Sequence, residues 1–413
     1  VRVAIIGAGA AGLASAREFS ERGHDVTVFE QGAQAGGIWA YQAEVEDDLL
    51  GLTPTHKVYS SLYENLRTNL PSDVMAFKGF PFDSSGGGDD DWPRFPHHSC
   101  VKLYLERFIE RFNLAPMIRL QQKVESVEPL NEGTTWRVTV AASAAEEFDA
   151  VAVCSGHFSE PRVPRLQGIT DFQGELRHSH NYRRAADFRG QRVAVLGRGA
   201  SGADIVQELL AEAAAVYWCG FEAPRDNGTF YTRPFPEKIT RNGMLHAGVE
   251  TEVDSILFCT GYRYELPFLD ESIVIAHDNY VAPLYKDILP PAFPRLAIIG
   301  LPFLVVPFPL YAMQAKWFAA SLDGELTIPT PAKMLASCQH KEAELRAAGV
   351  KQRHFHRLGE HQEAYYNDLA LECGGEALPN WFAVVVKEAQ KVRQANPANF
   401  RDVPLSSPRR AHL

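Results

Sequence analysis

Val3-Ala4-Ile5-Ile6-Gly7-Ala8-Gly9-Ala10-Ala11-Gly12 stands at the start of the chain, and Val193-Ala194-Val195-Leu196-Gly197-Arg198-Gly199-Ala200-Ser201-Gly202 repeats its pattern. In each copy an apolar strand runs into three glycines spaced GxGxxG, and an amphipathic helix pattern follows. The first glycine turns the chain, the second lets backbone approach a pyrophosphate, and the third lets helix lie close on strand. The helix N-terminus then offers unpaired N–H groups and a positive dipole end to the phosphates. After the first copy the strand Asp25-Val26-Thr27-Val28-Phe29 ends in Glu30, the place for a carboxylate that holds ribose hydroxyls. Gly7, Gly9, Gly12 and Glu30 therefore form one expected cofactor cradle, and Gly197, Gly199, Ala200, Ser201 and Gly202 a second. A chain that holds two dinucleotides passes electrons between them.

A second echo supports duplication. Asp149-Ala-Val-Ala-Val-Cys154-Ser155-Gly156-His157 aligns without gaps on Asp254-Ser-Ile-Leu-Phe-Cys259-Thr260-Gly261-Tyr262. Each is a continuous apolar strand, as expected where both faces of a sheet are covered, and each ends in a glycine that lets backbone run near a ligand. The fold expected is α/β: two Rossmann-like dinucleotide-binding domains, the smaller inserted into the larger. The smaller spans 163–265, with strands at 192–196, 215–219 and 254–259 and a helix at about 201–213. The larger comprises 1–162 and 266–413, rejoined through Leu296-Ala-Ile-Ile-Gly300, and reads mainly as helices from about 314 to 390. Ser84-Ser-Gly-Gly-Gly-Asp-Asp-Asp91 reads as a flexible acidic insert. The tail after Pro397, with Pro408-Arg409-Arg410, reads as loosely ordered.

Composition excludes several classes. The 413 residues carry a net charge of −10, which argues against a nucleic-acid partner. The longest uncharged run, Leu296 to Met313, contains Pro302, Pro307 and Pro309; these would break a spanning helix, so a buried strand and a loop are expected and no transmembrane segment. No N-terminal signal is read, although a start without Met leaves a removed leader open. The six cysteines contain no CxxC pair, which disfavours a zinc site or a redox dithiol and fits reduced thiols of a cytoplasmic protein.

Between the two glycine turns lies Phe172-Gln-Gly174-Glu-Leu-Arg-His178-Ser-His180-Asn-Tyr182, the pattern FxGxxxHxxxY. It resembles the identifying motif of the flavin-containing monooxygenases. Gly36-Gly37-Ile38-Trp39, Thr68-Asn69 before Met75-Ala-Phe77, and Cys259-Thr-Gly-Tyr262 agree with it. The resemblance runs from residue 3 to about 385, and Leu66-Arg-Thr-Asn-Leu-Pro-Ser72 with Gly199-Ala-Ser-Gly-Ala-Asp204 is most similar to the plant-type S-oxygenating branch. The related Baeyer–Villiger enzymes carry Trp where this motif has Tyr182. The resemblance implies FAD at the first turn and NADPH at the second. It implies oxygenation of a small soft nucleophile, a thioether or amine, by O₂ through a C4a-hydroperoxyflavin. It further implies Asn69 as the catalytic hydrogen bonder beside the flavin, with Gly37, Trp39, Thr68 and Gln314 near the flavin and Val124 over the adenine. An amide both donates and accepts without being a strong acid. Core packing is the competing reading for Trp39 and Val124, and a turn before Leu70-Pro71 for Asn69. No metal is expected, since His178-Ser-His180 has no further ligands around it. A homo-oligomer stays open.

Two departures stand out. Where relatives carry an Arg for the 2′-phosphate of NADPH this chain has Phe221, and Gly220 supplies no acid that would select NADH. Arg198 or Arg225 is left to provide the charge. Arg225 to Glu252 is also short for a complete second domain. An NADPH oxidase or flavin reductase, or a non-catalytic flavin-binding module, are the alternatives.

Overall fold

A computed structural model describes residues 1–141 and 143–409. Its first sheet has five parallel strands in the order Leu296–Ile298, Ala150–Val153, Arg2–Ile6, Asp25–Phe29 and Ile118–Arg119. The inner strands are apolar at nearly every position because helices cover one face and a three-stranded meander (Val124–Leu130, Thr135–Val140, Glu146–Phe148) covers the other. Helix Ala10–Glu21 lies along helix Pro307–Leu322, with Phe19 edge-on to Phe318 at 5.9 Å.

The second sheet is drawn entirely from residues 175 to 258 and so sits within the span of the first. Its order is Arg225–Asn227, Phe230–Arg233, Ala215–Cys219, Arg192–Leu196, Ser255–Phe258 and Glu175–His178. All neighbours are parallel except the first pair. Five strands repeat the order of the first sheet. The segment between the two glycine turns contributes a strand: Glu175–His178 occupies the place that Leu296–Ile298 takes in the other fold. The residues of the FxGxxxHxxxY pattern have packing duties. A Cβ at Gly174 would stand 2.2 Å from the Asp254 carbonyl oxygen, Tyr182 donates to Glu208 at 2.6 Å, and His178 and His180 are fully buried. Arg225 to Glu252 holds only short strands. No helix lies between the parallel strands Ala215–Cys219 and Phe230–Arg233, and an antiparallel strand turns the chain instead.

Four further expectations are corrected. The insert at 84–91 is anchored: Arg107 donates to the Gly88 carbonyl at 2.9 Å and pairs with Asp89 at 3.1 Å, and a Cβ on Gly87 would strike the Phe80 ring at 2.2 Å. The run from 296 becomes a strand and then the helix Pro307–Leu322, because Pro307 and Pro309 fall in its first turn, where no N–H partner is lost. The tail is strapped down, with Arg94 donating to the Ser407 carbonyl at 2.7 Å and Arg409 to that of Trp92 at 2.9 Å; Arg410 lies outside the described residues. The helix after the second turn is Ala200–Leu209, shorter than 201–213.

Candidate active site

The first glycine turn is closed. Gly7 has φ +102°, and a Cβ there would lie 2.6 Å from the Cys154 carbonyl oxygen. One at Gly12 would lie 1.8 Å from the carbonyl oxygen of Gly7. Gly37, at φ +56°, faces Gly9 so closely that its Cβ would come within 2.8 Å of the Gly9 Cα. Two backbones without side chains thus form one cleft wall. Helix Ala10–Glu21 starts with neither a side-chain cap nor an acidic residue in its first turn, so its N–H groups are left for an anion. The buried Glu30 carboxylate accepts from Ala8 N–H at 2.8 Å and Gly32 N–H at 2.7 Å.

The second turn is built alike and left open. Cβ atoms at Gly197 (φ +122°) and Gly202 would meet the carbonyl oxygens of Cys259 at 2.2 Å and Gly197 at 2.4 Å. The two aligned Cys-Ser/Thr-Gly segments therefore do the same work, each closing strand presenting its Cys carbonyl to the first glycine. Around Gly199 nothing lies within 4 Å of a Cβ position. Arg198, Gly199 and Ala200 are exposed, Ser201 is half-buried, and helix Ala200–Leu209 again starts uncapped with no acid in its first turn. The Arg198 guanidinium lies 4.3 Å over the Phe221 ring and donates to the Gly220 carbonyl at 3.3 Å. It forms no ion pair among the described residues.

Between the folds runs the segment 60–69. Thr68 is buried with every polar group engaged: its N–H donates to Pro96 O, its hydroxyl to Leu70 O, and its carbonyl accepts from Arg401 Nε, each at 2.9 Å. The neighbouring Asn69 is exposed, and its amide makes no hydrogen bond to the described protein. Thr68 fixes the turn, and Asn69 projects from it with its polar atoms free. Trp39 is half-buried, edge-on to Phe308 at 6.3 Å, and Phe308 stacks on Phe77 at 4.9 Å. Gln314 is fully buried, and its amide accepts from Gly300 N–H and donates to the Tyr365 hydroxyl, both at 2.8 Å. Its side chain therefore holds the Gly300 turn. Val124 packs its side chain into the core beneath the meander, which is the packing reading of that residue.

A family model described as "Flavin-binding monooxygenase-like" matches residues 1–223 and 232–395. The chain belongs to this family. The break at 224–231 falls on the antiparallel turn between strands Arg225–Asn227 and Phe230–Arg233 of the second fold. Arabidopsis thaliana "Flavin-containing monooxygenase FMO GS-OX-like 3" is 37% identical over 97% of this chain and 93% of its own length. Arabidopsis thaliana "Flavin-containing monooxygenase FMO GS-OX2" is 38% identical over 97% and 91%. The solved structure of S-allyl-L-cysteine S-oxygenase from Allium sativum superposes with a TM-score of 0.92 at 37% identity, covering 97% of this chain and 95% of that one.

The family is flavin-binding, and both cradles fit dinucleotides such as FAD and NADP(H): uncapped helix starts, glycines where a Cβ would collide, and open space at Gly199. No helix of the described residues is long and apolar enough to cross a membrane. Two contributors escape a sequence reading. Gly300, at φ +92° with Tyr311 beneath it, ends a third apolar strand just as Gly156 and Gly261 end theirs, and that pattern could have flagged it. Arg401 gives no local signal, being more than 300 residues from the turn it holds.

Proposed function

We propose that this monooxygenase transfers oxygen to the sulfur of a small thioether, with Asn69 as the catalytic side chain and NADPH selected through Arg198. When bound, flavin supplies the redox chemistry, accepting a hydride from the reduced nicotinamide and activating O₂. The protein holds and shields. Gly7, Gly9, Gly12 and Gly37 shape the FAD pyrophosphate cleft, and Glu30 meets the ribose hydroxyls by exchanging a backbone partner for them. Gly197, Gly199, Ala200, Ser201 and Gly202 receive the second pyrophosphate. Trp39 and Phe308 line an apolar wall that keeps water from the reacting oxygen. We set the second domain at 163–265 and the first at 1–162 and 266–413, and place the protein in the cytoplasm, where five buried free thiols stay reduced.

The observation that carries this reading is the unpaired Asn69 amide beside Thr68, whose own polar groups are all engaged. Sulfur is favoured over nitrogen by the S-oxygenase that superposes along almost the whole chain. For the 2′-phosphate, Arg198 is favoured over Arg225. It stacks on the side chain at the end of the relevant strand, whereas Arg225 lies two strands away, roughly 10 Å across the sheet. Asn69→Ala should fold and retain FAD, yet make about tenfold less sulfoxide per NADPH consumed, with hydrogen peroxide accounting for the difference, as expected for one lost hydrogen bond of about 1.4 kcal/mol. Product yield equal to the parent's removes Asn69 from the mechanism. Faster turnover of a tertiary amine than of a thioether overturns the sulfur assignment, and peroxide as the only product of the parent identifies an oxidase.

A further inference from the structure

Three segments remote in sequence meet at one guanidinium. Arg401 lies in the short helical turn Phe400–Asp402, anchored by buried Phe400 against Phe95 at 5.6 Å. Its Nε donates to the Thr68 carbonyl at 2.9 Å, and its Nη2 donates to Asp204 at 2.5 Å. Asp204 belongs to helix Ala200–Leu209, one turn beyond the second glycine cradle, and also accepts the Tyr63 hydroxyl at 2.9 Å. Both charged side chains are mostly shielded, 17% and 15% exposed.

A guanidinium presents its donors in one rigid plane, so satisfying a carbonyl and a carboxylate together fixes the distance between them. Here the carbonyl precedes Asn69 and the carboxylate rides on the helix that receives the second dinucleotide. Removing the guanidinium would leave Asp204 shielded with only a neutral partner, which favours displacement of the helix.

We propose that Arg401 is a positioning residue that ties the Asn69 turn to the nucleotide helix, so that occupancy of the second cradle stiffens the turn carrying the oxygen-shielding amide. This rests on the Asn69 reading above. The brace transmits because it is a physical contact with two arrangements, engaged or released, and NADP⁺ biases it toward engagement.

The test is amide hydrogen exchange on the FAD-loaded protein with and without saturating NADP⁺, together with the yield of sulfoxide against peroxide. In the parent, NADP⁺ should slow exchange both at 200–206 and at 68–70. In Arg401→Gln the first protection should remain and the second disappear. The NADP⁺ dissociation constant should rise about fivefold, and peroxide yield should rise. Arg401→Lys should not restore the relay, because one ammonium cannot reproduce the planar fork. If Arg401→Gln does not fold, Asp204→Asn, which keeps the Thr68 bond and removes the charge, should weaken the relay in the same direction. Protection at 68–70 that survives in a folded Arg401→Gln, or in Asp204→Asn, overturns the proposal. Asn69→Ala separates the two readings: it should retain the relay while losing sulfoxide. Unchanged sulfoxide there sinks the Asn69 assignment alone.

Discussion

In the first cradle Ala8, Ala10 and Ala11 are buried, Gly37 closes over Gly9, and Glu30 ties the turn from below. In the second, Arg198, Gly199 and Ala200 are exposed, no glycine pair forms a wall, and the strand end carries an aromatic ring under an arginine. The strand, turn and helix are otherwise alike, down to the Cys carbonyl against the first glycine of each. One sequence pattern thus serves two duties. A closed cleft suits a group that stays through many turnovers, and an open one suits a group that arrives and leaves with each.

The largest effect that tests this contrast is Gly37→Ala against Gly199→Ala. The first places a Cβ 2.8 Å from the Gly9 Cα at φ +56°; the protein should purify without flavin and lose about 3 kcal/mol of stability, the upper range for overpacking. The second meets open space, so flavin content should be normal and stability within about 0.5 kcal/mol of the parent by chemical denaturation. Equal losses from the two would erase the distinction.

Next in size is Arg198→Ala, which sharpens the chemistry of the open cradle. Loss of a charge-assisted bond to phosphate of about 2 kcal/mol predicts a fall of about 30-fold in kcat/KM for NADPH. The value for NADH should move less than twofold. A matching fall for both would detach Arg198 from the phosphate.

A third effect concerns acid. His178 is fully buried on the edge strand of the second fold, its Nε2–H donating to the Gly261 carbonyl at 3.0 Å and its Nδ1 accepting from His180 N–H at 3.1 Å. Burial, reinforced by neighbouring His180, pushes its pKa down to about 3. Between that value and about 6.5 the unfolded chain binds a proton that the folded chain refuses. Stability is therefore lost as pH falls through 6.5, and the loss levels off near 3. The equivalent strand of the first fold, Leu296–Ile298, has no titratable side chain. His178→Gln should lower the slope of unfolding free energy against pH between 4 and 6 by about 1.4 kcal/mol per pH unit. An unaltered slope would show that this histidine is protonated in the fold.

Much of this was legible in the residues because the deciding features are local. A glycine at a turn where a Cβ would strike a carbonyl, or an apolar strand ending in Cys-Ser-Gly or Cys-Thr-Gly, leaves its mark within ten residues. The motif around His178 was legible as a signature and not as a strand. Its apolar alternation is weak, and its partner Ser255–Phe258 lies some 80 residues on. The glycines at 86–88 read as freedom and are in fact the absence of side chains where the chain presses on Phe80 and Phe82. Gln314 depends on partners 14 and 51 residues away and Arg401 on one 333 residues away, which no spacing rule encodes.

The second fold enters and leaves through neighbouring strands. Pro161 pairs with Tyr262, Arg162 N–H donates to the Gly261 carbonyl, and the Thr260 hydroxyl donates back to Arg162 O. Such adjacent ends let a whole lobe sit within a host sheet without stretching it. The order of synthesis is therefore inverted: a ribosome delivers the last strand of the inner sheet with Phe258, while the outer sheet, begun first, still waits for Leu296–Ile298.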